Sequence, residues 1–159
     1  MRHAWLAAGG GFLMAVLWMD LMFDVQVLRQ APAPTDLPEA VLASIAAYYR
    51  RVTTDADPMG RLIGLVMFAT LIGSIHAAWR SSDRGRAWLA AALSVGPVAL
   101  AGLRVFPNAV RLGKRIGSLP EQSELARAIW RDHCACLAAI VVFTMLQIAL
   151  AHRAQRRDD

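Results

Sequence analysis

Four long apolar runs, separated by more polar connections of which two are long, dominate the chain. The first extends from Ala4 to Leu28, the second from Met59 to Trp79, the third from Ala87 to Phe106 and the fourth from about Trp130 to Ala151. Each approaches or exceeds the roughly 20 residues that a helix needs to cross a bilayer. The pattern predicts an all-α integral membrane four-helix bundle, one transmembrane domain over 1–159, with both termini on one side. Asp57 and Pro58 read as a helix start, an N-cap followed by a first helical proline. Gly96-Pro97 predicts a kink in the third span, and Pro107 its end.

Two connections carry more structure than a loop. Asp36-Leu37-Pro38-Glu39 has the form of a capping box, and Val41, Leu42, Ile45, Tyr48, Tyr49 and Val52 then recur at helical spacing. Ser44, Arg50, Arg51 and Thr54 fall on the other face. The region 38–54 therefore predicts an additional amphipathic helix, resting on the membrane surface or on the mouth of the bundle. Ser118-Leu119-Pro120-Glu121 repeats the device and opens a helix that runs on toward the fourth span. The shared Leu-Pro-Glu allows a weak two-plus-two internal repeat.

Composition agrees with a membrane location. The chain is 57% hydrophobic with a mean hydropathy of +0.40, and its 18% of charged residues fall between the runs. A net charge of +5 raises nucleic acid as a partner, but the arginines flank helix ends, so no nucleic acid is expected and the lipid bilayer is. Arginine far outnumbers lysine, which points to a bacterial source and hence an inner membrane. The first run is too long for a signal-peptide core, and Pro34 follows the Ala31-Pro32-Ala33 stretch directly. Trp5, Trp79 and Trp88 gather at one membrane face, with Tyr48, Tyr49, Phe106 and Trp130 near the other. Seven basic residues lie on the side of the termini and the remaining ten of the 17 on the other; the density of the short second connection and the tail favours cytoplasmic termini. Cys134 and Cys136 are the only thiols, and two positions apart on a helix they point to nearly opposite sides, so neither a bridge nor a shared metal is expected. Gly60 and Gly64 form a close-approach motif, suited to packing inside the bundle or to a homodimer or membrane partner.

The candidate chemistry lies on the side of the two long connections. Asp20 and Asp24, one helical turn apart in the first span, share a face and are costly in lipid, so they should point inward. Arg104 is the expected partner, with His133 from the fourth span. These four are the candidate catalytic residues; Asn108, Arg111 and Trp130 are the candidate ligand-binding residues of a polar pocket at that membrane face. Three readings fit. One is an ion-pair lock between helices. A second is an acid–base pocket with raised carboxylate pKa values, with an oxidoreductase-like activity in view. The third is a metal held by Asp20, Asp24 and His133, although no compact metal motif is present. A non-enzymatic accessory or assembly subunit is the alternative to an enzyme. The sequence names neither a substrate nor a cofactor.

From Arg104 to Leu146 the chain resembles small four-helix membrane proteins grouped with anthrone oxygenases. The likeness rests on Asn108 and Leu112 after the third span and on Trp130 and His133 before the fourth. It covers about a quarter of the chain, and Asp20 and Asp24 have no place in it. The resemblance implies cofactor-independent oxygenation of an aromatic substrate.

Overall fold

The computed structural model describes residues 2–29 and 36–158; Ala31-Pro32-Ala33 and Pro34 lie outside the described residues. All regular structure among them is helical. Helix α1 spans Arg2–Asp24 and tightens into a 3₁₀ turn over Val25–Arg29, α2 spans Glu39–Arg50, and α3 spans Asp57–Trp79. Helix α4 spans Arg84–Leu100, α5 spans Phe106–Gly113, and α6 runs unbroken over Leu119–Asp158. Four helical stretches are long and apolar enough to cross a membrane, 3–29, 58–79, 84–113 and 119–153, and the chain is accordingly a small polytopic membrane protein.

Close contact between α1 and α6 depends on small residues. A Cβ on Gly10 would collide with Thr144 Oγ1 and lie 3.2 Å from Phe143, and one on Gly9 would collide with Thr70 Oγ1 of α3. No such constraint holds at the Gly60/Gly64 motif. A Cβ on Gly64 would meet nothing within 4 Å, and one on Gly60 only the Val52 carbonyl at 3.7 Å. Packing inside the bundle is therefore not what these two glycines provide.

The third span departs from expectation at its prolines. Instead of ending before Pro107, the helix passes through a π turn at Ala101–Val105, one turn after Pro97, and continues as α5. The π turn is wider, so the carbonyls that the Pro107 ring would strike are displaced. A second π turn, Arg51–Asp55, extends α2 in the same way before Ala56 breaks the chain direction ahead of Pro58. Ala56, not Asp57, is the N-cap of α3.

Helix α2 lies on the mouth of the bundle. Its Leu42, Ile45, Ala46 and Tyr49 are buried against Val105, Ala109, Leu112, Ala126 and Ile129, while Ser44, Arg50, Arg51 and Thr54 stay exposed. Gly113 lets α5 touch α2 backbone to backbone, since a Cβ there would stand 2.7 Å from the Arg50 nitrogen. The two Leu-Pro-Glu sequences behave differently. At α6, Ser118 N–H donates to Glu121 at 2.6 Å, as a capping box requires. At α2, the helix begins with Pro38 as its N-cap and no side-chain cap, and Glu39 instead receives both its hydrogen bonds from Arg115, at 2.6 Å each. Asp36 sits too early to cap, because the helix starts two residues later than the box predicts. Leu37 N–H donates to Ser123 Oγ at 2.9 Å, which ties the approach to α2 onto α6.

Candidate functional site

The last turn of α1 brings Asp20 and Asp24 to the inner face, as i, i+4 positions must. Helix α2 supplies two consecutive tyrosines, and α6 supplies His133. Tyr49 Oη donates to Asp24 Oδ1 at 2.6 Å, and Tyr48 Oη donates to Asp20 Oδ1 at 2.6 Å. His133 Nδ1 lies 2.7 Å from Asp24 Oδ2, and its Nε2 lies 3.7 Å from Asp20 Oδ2. Asp24, Tyr49 and His133 are buried, at 0%, 2% and 4% exposure. The outer half, Asp20 with the half-buried Tyr48, is more open, and the Tyr48 ring stacks on Phe23 at 4.0 Å and 10°.

Helix α2 holds both phenols in place from outside the spans. Burial, followed by the nearby carboxylates, raises the pKa of Tyr49 well above its ordinary value, and the same causes raise that of Tyr48. Both therefore act as hydrogen-bond donors rather than phenolates. With Tyr49 donating to one oxygen of Asp24, the other accepts from His133 Nδ1. A carboxylate in that position fixes the imidazole tautomer and leaves Nε2 as the group facing Asp20. The gap of 3.7 Å exceeds hydrogen-bond range.

Arg104 does not join this cluster. Its Nε pairs with Asp132 Oδ2 at 3.3 Å, and its side chain is 56% exposed. The π turn places Arg104 on the α6 side at the level of Asp132, whereas the carboxylates of α1 are already supplied with donors by α2 and His133. Arg111 lines a shallow open groove with Pro120, Glu124 and Arg131 that includes none of the network's residues. Asn108 and Trp130 are half-buried, and Leu112 is a core residue beneath α2. Of the four positions that carry the family resemblance, His133 alone takes part in the network. Cys136, one turn beyond His133, lies 3.9 Å from the Pro97 carbonyl, outside the cluster. A metal fits poorly, because tyrosine hydroxyls and the imidazole already occupy both oxygens of Asp24 and one of Asp20; among the described residues no group of three His, Cys, Asp or Glu is set to hold one.

Sequence reasoning missed the tyrosines, assigning both to an interfacial belt. The signal was present in their register: Tyr49 falls on the same stripe as Leu42 and Ile45, and a buried tyrosine hydroxyl needs a partner. Comparison with protein-family models, with curated proteins and with solved structures returns no match.

Proposed function

We propose that this chain is a membrane-embedded acid–base protein, in which His133, oriented by Asp24, exchanges a proton with a small molecule that reaches Asp20 from the membrane interface. The observation that carries this reading is the unclosed 3.7 Å step between His133 Nε2 and Asp20 Oδ2, next to the more open half of an otherwise closed network. In the proposed cycle His133 takes a proton from a carbon of the bound molecule, dioxygen adds to the carbanion, and His133 returns the proton to the peroxide, which loses water to leave a carbonyl; Asp24 stabilises the imidazolium, and Tyr49 holds Asp24. The stacked Phe23 and Tyr48 rings give the same spot an aromatic wall, which suits a planar substrate. The likeness to the anthrone-oxygenase group supports an aromatic carbon acid, whose deprotonation is the step that oxygenation without a cofactor requires. The test is a comparison of lipid-soluble aromatic compounds in cells making equal membrane levels of the natural protein, Asp24→Asn or His133→Gln. Depletion of a compound by the natural protein alone supports the reading; three identical profiles reject it.

A second reading is a non-enzymatic accessory subunit whose network locks α2 onto the bundle. It is favoured by the saturation of the inner half, where both oxygens of Asp24 have donors at 2.6 and 2.7 Å. Capture of the same membrane partner by the natural protein and by His133→Gln, after cross-linking, distinguishes this reading from the first.

A further inference from the structure

The turn between α3 and α4 carries surplus positive charge at the end of the bundle opposite α2. Residues 80–88 hold Arg80, Arg84 and Arg86 against one acid, Asp83. That acid is already engaged: Arg86 Nη1 donates to it at 2.6 Å, and Arg153 of α6 lies 3.8 Å away. The Arg86 hydrogen bond holds its carboxyl below the ordinary carboxylate range. Arg80 and Arg84 are exposed, as are Arg153 and Arg156 near the end of α6. Arg84 sits in a shallow groove between two tryptophans, Trp79 at 70% exposure and Trp88 at 45%. These tryptophans end one span and begin the next, so the groove lies where lipid headgroups are.

We infer that Trp79, Arg84 and Trp88 form a headgroup site for an anionic phospholipid. The guanidinium supplies a paired-donor surface for a phosphodiester. The indole rings flank it at the depth of the glycerol and upper acyl chain, where amphipathic rings are at home. The surrounding arginines favour a lipid with net negative charge over a zwitterionic one. A free phosphate presents the same anion, but it leaves the two tryptophans without an apolar partner.

Native mass spectrometry of the purified full chain in detergent, offered phosphatidylglycerol or phosphatidylcholine, tests this. Preferential retention of phosphatidylglycerol is expected. Arg84→Gln should lower it about fivefold, the value of one basic side chain at an anionic surface. Trp79→Leu with Trp88→Leu should lower it for lipid while leaving the melting temperature intact. Arg51→Gln, an exposed arginine on the other face, should leave retention unchanged. Equal retention of both lipids, or a folded Arg84→Gln protein that keeps the preference, overturns the site. Displacement of the lipid by inorganic phosphate alone overturns the lipid assignment in favour of a simple anion site.

Discussion

At the end of the bundle covered by α2 and α5, the chain buries carboxyl groups; at the end formed by the α3–α4 turn, the buried polar groups among the described residues include no carboxyl. The covered end contains Asp24 and His133 together with Tyr49. The other end contains His3 hydrogen-bonded to Gln147 at 2.8 Å and Ser74 to Ser94 at 2.7 Å. Surface charge follows a related division. Arginines at the covered end meet acids, in Arg50–Asp55, Arg104–Asp132, Arg115–Glu39 and Arg127–Glu124, whereas the turn carries surplus arginine. A buried carboxyl in an apolar bundle persists only if donors satisfy its oxygens. At the covered end an additional helix brings those donors; without such a layer, the polar groups are held as hydrogen-bonded pairs that include no carboxyl.

The strongest challenge to this contrast is removal of the imidazole from the covered end. His133→Leu leaves Asp24 buried with Tyr49 alone, and unfolding in detergent should show a loss of about 3–5 kcal/mol. Adding Asp24→Leu should restore much of that loss, because the uncompensated charge leaves with it. Losses that simply add would mean that the two groups do not act as a pair. A second measurement addresses the covering layer itself. Gly113→Ala forces a methyl against the α2 backbone and should cost about 1–3 kcal/mol. Gly64→Ala, with open space around it, should instead raise helix stability by up to about 1 kcal/mol. The smallest effect belongs to the opposite end, where Ser74→Ala should cost about 0.6 kcal/mol, typical of neutral hydrogen bonds between membrane helices. A loss there as large as that of His133→Leu would erase the difference between the ends.

Hydrophobic run length was enough to locate the four spans, and period 3.6 was enough to find α2. Asp20, Asp24 and His133 were legible as a group because charge in an apolar run has few stable places to go. Arg104 was not, since charge and membrane depth select Asp132 and the α1 carboxylates equally well. What separates them is helical phase after Pro97, and a π turn changes that phase without a distinctive residue pattern. The role of the tyrosines was hidden for a different reason. An aromatic with a hydroxyl suits both an interface and a buried network, and only the docking of α2 decides which.

The π turn at Ala101–Val105 also gives the third span slack in chain length. It fits five residues where a regular helix places about four, so it behaves as a one-residue insertion absorbed within a single turn. Deleting any one residue between Leu100 and Phe106 returns the helix to ordinary pitch and leaves Ala109, Leu112 and Gly113 on the face that meets α2. A residue removed from the regular turns of α5 finds no such slack, and everything downstream of it rotates by about 100°.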